Sequence, residues 1–172
     1  SGFTGFPEAA LDFYDDLELD NTKSFWQANK AVYDEAVAAP MKALTAALEP
    51  EFGAAKIFRP YRDVRFAKDK TPYKTWQGAK LFHERHRQVE APSFHIHIRP
   101  GQSFVGSGLW RPHNDTVRQV RQFIFDNPAS WKAAAHDPRL RRRFALDDRH
   151  MLVRMPRGYP PEFEFAEDLR RR

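Results

Sequence analysis

Apolar residues recur at helical spacing in the N-terminal third of the chain. Those within residues 6–17 lie three or four positions apart, which predicts a short amphipathic helix that begins near Pro7. A longer apolar stripe over residues 26–48 predicts a second helix, for which Thr22 is a suitable N-cap. Because Pro40 falls inside that stripe, we expect the second helix to kink or to divide in two.

The apolar period changes to two in the middle of the chain. Apolar residues alternate with His95 and His97 over residues 94–98, which predicts a strand with one apolar and one histidine face. A proline–glycine turn signal follows, so residues 103–109 are predicted to form the hairpin partner of this strand. Residues 57–66 also alternate and are predicted to contribute a further strand, although neither of its faces is cleanly apolar.

Helical spacing returns in the C-terminal third. Asn114 is a predicted helix cap, and Asn127 and Asp137, each followed by proline, are predicted to open two more helices, the last of them reaching Phe144. The predicted fold is a single α+β domain over residues 1–172, with N- and C-terminal helices packed on a small, mainly antiparallel sheet. The chain ends without a helix stop signal, so a further C-terminal segment is expected.

Composition removes several classes of function. The 172 residues include no cysteine, which excludes thiol catalysis, cysteine-ligated zinc, iron–sulfur clusters and disulfides. No apolar run of about 18 residues and no signal-peptide order occur, so we expect a soluble, cytoplasmic protein without membrane association. The Walker loop, the dinucleotide-binding fingerprint and the nucleophile elbow are all absent from the sequence.

Charge is segregated along the chain. Residues 1–55 carry 10 acids and 3 bases, whereas residues 56–88 carry 10 bases and 3 acids. The overall formal charge of +5 therefore conceals an acidic third followed by a basic stretch. Such asymmetry points to an anionic partner, unless the two blocks neutralise each other in the fold.

The densest run of cations is the basic segment, defined as residues 59–74. It contains two carboxylates, Asp63 and Asp69, and arginine and lysine side chains of the kind that bind phosphate or carboxylate groups. Three interpretations stay open: an anion-binding site, pairing with the acidic N-terminal helices, and a nucleic-acid surface. The candidate ligand-binding residues are Arg59, Arg62, Arg65, Lys68, Lys70, Tyr73 and Lys74.

Histidines provide a weaker signal. His95 and His97 project from the same face of the predicted strand, but two ligands do not make a metal site, and His83 and His86 lack the spacing of a zincin helix. We therefore predict neither a metal nor another cofactor. His97 and Asp63 are the candidate proton-transfer groups, should the protein be an enzyme.

Several motifs resemble a known family. They are FTGF at residues 3–6, RPYRDVRF at 59–66, KDKTPYK at 68–74, FVGSGL at 104–109 and PRGY at 156–159. Together they are similar to the domain-of-unknown-function family 2461 over nearly the whole chain. The resemblance implies a fold and a candidate surface without an established activity. It also implies a single histidine at His97, from which His95 departs, and members that extend beyond the C-terminus of this chain.

The leading functional hypothesis is a pocket for a small anionic or phosphorylated ligand, formed by the basic segment with Tyr73 and His97 on its rim. One alternative is a nucleic-acid-binding module that uses the same segment, since aromatic residues alternate with its cations. Another is an interaction or structural protein whose acidic helices and basic segment contact another chain. The sequence leaves the oligomeric state, the ligand and the existence of a reaction open.

Overall fold

A computed structural model describes residues 2–87 and 90–172 of the chain. It has the predicted α+β character, with helices and a four-stranded antiparallel sheet. The chain divides into two compact units, one up to Trp110 and the other over Arg111–Arg172, and each is described by itself. The prediction that residues 1–172 form one domain stays a prediction.

The predicted N-terminal helices are confirmed. Helix α1 spans Glu8–Leu19, and helix α2 spans Lys23–Val32 with the Thr22 side chain accepting a hydrogen bond from the Phe25 N–H at its start. A π-helical turn over Tyr33–Ala38 then leads directly into α3, which spans Ala39–Phe52. The helical path is therefore continuous from the Thr22 cap to the end of α3.

Pro40 explains the π-helical turn. A proline inside an α-helix has no N–H to donate, and its ring clashes with the carbonyl group four residues earlier, here that of Ala36. Immediately before Pro40 the Ala39 N–H bonds to the carbonyl of Asp34, five residues back, instead of the usual four. The predicted interruption thus takes the form of a widened turn, as is common where α-helical bonding is disturbed.

The sheet is a meander in which each strand pairs with the next. Its strands are β1 (Ala55–Ile57), β2 (Gln77–Phe82), β3 (Ser93–Ile98) and β4 (Phe104–Gly108), in the order β1-β2-β3-β4. The hairpin of β3 and β4 is confirmed as predicted. Strand β2 was not predicted, because glutamine, glycine, alanine and lysine have low strand propensity. In the fold β2 pairs with β1 on one side and with β3 on the other, and this pairing outweighs the low propensity of its residues.

The predicted strand over residues 57–66 is wrong beyond Ile57. Tyr61 forms only an isolated bridge with Tyr73, flanked by main-chain bonds from Arg62 to Pro72 and from Lys74 to Pro60. After that bridge the Asp63 carboxylate accepts the Arg65 N–H two residues on, a local bond that competes with strand pairing. The basic segment is consequently a closed loop and not a strand.

One face of the sheet packs against helix α3. Buried Ala79, Leu81 and Ile96 contact Met41 and partly buried neighbours from α3. A second, mostly aromatic cluster joins α1, α2 and the π-helical turn, and it also includes Tyr73 from the basic segment. The opposite face of the sheet carries His97, Gly78 and Phe104, which are paired across the strands.

The second unit is helical. It contains α4 (Asn114–Asp126), α5 (Pro128–Ala135), α6 (Pro138–Arg141) and α7 (Ala166–Leu169). Asn114 is the first residue of α4 and not its cap, which is His113. The helix predicted to run through Phe144 is only four residues long, although Asp137 caps it as expected by accepting the Arg139 N–H. Ile124, Phe165 and Leu169 form the buried core of this unit.

Candidate functional site

The basic segment is held closed by its own side chains. Arg62 donates hydrogen bonds from one guanidinium nitrogen to the carboxylate of Asp69, at 2.7 Å, and to the carbonyl and hydroxyl oxygens of Thr71. Asp69 also accepts the Thr71 N–H at 2.9 Å, and these bonds lower the pKa of its carboxyl group. Arg62 therefore closes the loop, and its charge is compensated by a carboxylate.

The outer cations of the segment are bonded within it or exposed. Arg65 forms two bonds with the Asp63 carboxylate, at 2.9 and 2.7 Å, while Lys70 donates to the main-chain carbonyl of Val64. Arg59 and Lys68 are exposed, and their side chains make no hydrogen bond or ion pair with any residue that the structure describes. The arginine pairs lie inside the segment, so the acidic N-terminal helices are not their partners.

Lys74 differs from the other cations. Its ammonium is partly buried, donates to the Arg59 main-chain carbonyl at 2.8 Å, and lies over the rings of Phe58 and Trp76 at 5.7 and 5.4 Å. No carboxylate within the described residues pairs with it. Burial, with a smaller contribution from the charge of Arg59, lowers the pKa of the Lys74 ammonium.

Lys74 lines a cleft of about 310 Å³ at the inner side of the basic segment. Three of the seven candidate ligand-binding residues line it, namely Arg62, Tyr73 and Lys74. Arg59, Arg65, Lys68 and Lys70 do not. The remaining lining residues were not among the candidate ligand-binding residues, although Asp69 and Thr71 lie within the basic segment. They are Glu18, Asn21, Asp69, Thr71, Thr75 and Trp76. Glu18 and Asn21 are far away along the chain, so only the fold brings them here.

The inner wall of the cleft is rigid because Tyr73 belongs to the core. Its side chain is 5% exposed and stacks on Trp26 with ring centroids 4.4 Å apart. Its main chain is fixed by Asn21, whose amide accepts the Tyr73 N–H and donates to the Tyr73 carbonyl. Tyr73 was predicted to lie on the rim; the structure places it in the wall, where burial raises the pKa of its hydroxyl group.

A row of stacked rings continues from the cleft across the sheet. Trp76 stacks on His97 at 4.6 Å, and His97 stacks on Phe104 at 4.8 Å. Gly78 makes room for this row, since a Cβ atom there would lie 2.5 Å from the Trp76 ring. The rings of the row turn their faces to one another, and the Lys74 ammonium lies over the ring of Trp76.

The two candidate proton-transfer groups do not line the cleft. Asp63 is held by Arg65, and its hydrogen bonds to that residue lower the pKa of its carboxyl group, which makes it a weak base. His97 is separated from the cleft by Trp76; burial and the charge of Arg99 lower the pKa of its imidazole. The roles predicted for Asp63 and His97 stay predictions.

His95 lies on the same face as His97, as predicted, but in a different environment. Its Nε2 atom is buried and has no hydrogen-bond partner among the residues that the structure describes. Burial, together with the charges of Lys80 and His97, lowers the pKa of its imidazole, which favours the neutral ring. Among residues 2–87 and 90–172 no group of three or more potential metal ligands is found. No helix in this part of the chain is long and apolar enough to span a membrane.

A polar cluster that the sequence did not reveal lies in the second unit. The buried carboxylate of Asp168 accepts bonds from Trp131 Nε1 at 2.8 Å, His136 Nε2 at 2.6 Å and Arg171 Nε at 3.1 Å. Burial alone would raise the pKa of Asp168, but the three donors together outweigh it and lower the pKa. With its carboxylate fully bonded, this cluster serves to join α5, α7 and the C-terminal residues.

Comparison with known proteins agrees with the motifs. The sequence model of a family described as conserved hypothetical protein (DUF2461) matches residues 9–172, nearly the whole chain. The chain belongs to the DUF2461 family. Neither a curated protein nor a solved structure matches this DUF2461 protein. The family description attaches no activity to it, so its function has to be argued from the cleft.

Proposed function

We propose that this DUF2461 protein binds a small anionic ligand, of the phosphorylated class, in the cleft beside Lys74. The observation that carries the proposal is the environment of the Lys74 ammonium. It is partly buried, close to the like charge of Arg59, and paired with a carbonyl group and two aromatic rings instead of a carboxylate. A cation in such a position costs free energy that an arriving anion would recover.

The other charges of the cleft support the same assignment. Arg62 is compensated by Asp69, and Glu18 lies 3.5 Å from the guanidinium of Arg99. Lys74 is therefore the lining cation whose charge no carboxylate of the described residues offsets. Thr75 lines the same space, and its hydroxyl group can donate to a phosphate oxygen, whereas the Thr71 hydroxyl group already donates to Asp69.

The geometry favours a small ligand over a nucleic-acid strand. A cleft of about 310 Å³ is within the size range of small-molecule pockets. Single-strand binding would need exposed ring faces on which successive bases stack. Trp76, His97 and Phe104 instead stack on one another, and Tyr73 is covered by Trp26. This leaves Tyr61 and Phe66 as the exposed rings of the basic segment.

Isothermal titration of the full chain with inorganic pyrophosphate tests this proposal. Lys74→Gln removes the charge and keeps most of the stem that packs on Phe58 and Trp76. Because charge-assisted hydrogen bonds are about twice as strong as neutral ones, we expect the affinity for pyrophosphate to fall by about tenfold or more.

Lys68→Gln is the matched control. It removes the same charge from the same segment, but Lys68 is exposed and does not line the cleft. We expect it to change the affinity less than about twofold, since a distant exposed charge is screened by salt. Equal losses in the two variants would show that pyrophosphate responds only to general charge, and the proposed site would then be wrong.

A further inference from the structure

A second cleft lies wholly within the unit formed by Arg111–Arg172. It has a volume of about 530 Å³, and its wall consists of one face of α4 and the loop at residues 156–159. Arg118 and Arg121 lie three residues apart, on the same side of α4. The principal lining residues are Arg118, Arg121, Gln122, Pro156, Arg157 and Tyr159. We call this space the arginine cleft.

Arg121 is fixed in place by main-chain acceptors. Its Nε donates to the carbonyl of Leu169 at 2.7 Å, and one terminal nitrogen donates to the carbonyl of Arg171 at 2.9 Å. These bonds hold the plane of the guanidinium without neutralising its charge. A preorganised guanidinium loses little conformational entropy when it binds an anion.

Tyr159 fixes the loop against the helix. Its hydroxyl group donates to Gln122 Oε1 at 3.1 Å, and its ring packs on Phe125 with centroids 5.3 Å apart. Gly158, with a φ of 91°, provides a turn next to Tyr159 that residues with side chains rarely adopt. The anchored loop places Arg157 on the opposite wall from the helix arginines.

The arginine cleft has an excess of positive charge. No carboxylate of the described residues lines it, and the pair of Arg118 with Asp115 is highly exposed, which makes it a weak competitor for a ligand. Arg157 is exposed and forms no ion pair within the described part of the chain. Burial, with a smaller contribution from Arg172, lowers the pKa of Arg121, whereas Tyr159 opposes that change.

We propose that the arginine cleft is a binding site for a small ligand with a multivalent oxyanion group, a phosphate or a carboxylate. Guanidinium groups donate paired hydrogen bonds that match either group. The volume exceeds what one oxyanion fills, and Pro156 and Tyr159 offer an apolar wall for the rest of such a ligand. The site is independent of the cleft beside Lys74, with which it shares no residue.

The test uses the full chain carrying Lys74→Gln, in which binding of pyrophosphate at the first cleft is weakened about tenfold or more. Titration with inorganic pyrophosphate is expected to show one binding event, weakened about tenfold or more by a further Arg157→Ala substitution. Competition by citrate would identify a site that also takes carboxylates, and lack of competition would identify a phosphate site. Since Arg157 is exposed and forms no ion pair within the described part of the chain, we expect its loss to leave the fold intact.

Arg154→Ala is the matched control, because Arg154 is also exposed and does not line the cleft. We expect it to weaken pyrophosphate binding less than about twofold. Two results would overturn the inference: no binding in the Lys74→Gln background, or equal weakening by Arg154→Ala and Arg157→Ala. Neither result depends on whether Lys74 binds an anion.

Discussion

The basic segment and the arginine cleft use their cations in opposite ways. In the basic segment Arg62 and Arg65 are each paired with a carboxylate of the same loop, so these two charges stabilise the loop itself. In the arginine cleft the best-ordered cation, Arg121, is held by carbonyl groups and keeps its net charge. The cleft beside Lys74 is lined by two cations and two carboxylates, whereas the arginine cleft is lined by three arginines and by no carboxylate of the described residues. The arginine cleft therefore offers a ligand more uncompensated charge.

The comparison shows why a count of charges along a sequence is a poor guide to a binding site. What matters is whether a carboxylate lies within bonding distance of each cation once the chain is folded. No carboxylate of the described residues lies within bonding distance of Lys74 in the first unit or of Arg157 in the second. Both are less conspicuous in the sequence than the arginines at 59, 62 and 65.

The largest expected effect is a loss of stability when Trp26, which packs behind the wall of the first cleft, is truncated. Trp26→Ala removes a side chain that is 4% exposed and stacks on Tyr73. We expect the free energy of unfolding to fall by about 3–5 kcal/mol, as for other large-to-small changes in protein cores. Chemical denaturation measures this loss. A change below about 1 kcal/mol would show that the wall of the cleft does not depend on the aromatic core.

The next largest effect concerns the hydrogen bonds that the Asp168 carboxylate accepts in the second unit. Asp168→Asn leaves Arg171 and His136 without their carboxylate, and we expect a loss of about 2 kcal/mol in the free energy of unfolding. Because the pKa of Asp168 is lowered in the fold, its contribution is fully present above the ordinary value of 3.8 and is lost as pH falls through the lower value. Chemical denaturation of the unsubstituted protein and of Asp168→Asn, at pH 7 and in acid, checks this. The free energies of unfolding of the two proteins should differ less in acid than at pH 7. An undiminished difference would contradict it.

The smallest expected effect is the difference in stability between variants of Arg62 and Arg65, the two paired arginines of the basic segment. Arg62→Ala removes the bonds that close the loop and should lower the free energy of unfolding by about 1 kcal/mol. Arg65→Ala should leave the denaturation midpoint unchanged, because its pair with Asp63 is fully exposed to solvent. If Arg65→Ala proved the more destabilising of the two, the loop would be closed by a different set of bonds.

Local signals predicted much of this fold. The spacing of apolar residues located α1, the Thr22 cap and the β3–β4 hairpin, and Pro40 marked the place where the long helix changes its bonding. Strand β2 escaped prediction because its residues favour a strand only when neighbours pair on both sides. The alternation at residues 57–66 was misleading, since Asp63 and Asp69 bond to main-chain groups two residues on and curl the loop.

The candidate site was predicted in part for a similar reason. The sequence identified Arg62, Tyr73 and Lys74, which are close together along the chain. It could not identify Asn21, which reaches the cleft from the start of α2, or assign Tyr73 to the core. Nor did the sequence single out the arginine cleft. Its two walls are distant along the chain, and the Tyr159–Gln122 hydrogen bond, across 37 positions, and the packing of Tyr159 on Phe125 help to join them.

The state of the Lys74 ammonium tests the central claim most directly. An NMR titration that follows the ¹³Cε signal of Lys74, assigned by its absence from the Lys74→Gln protein, measures the pKa with and without inorganic pyrophosphate. We predict a pKa below the ordinary lysine value of 10.5 in the free protein and a clear rise when pyrophosphate is present. A pKa that is the same with and without pyrophosphate would contradict the proposal that Lys74 receives the anion.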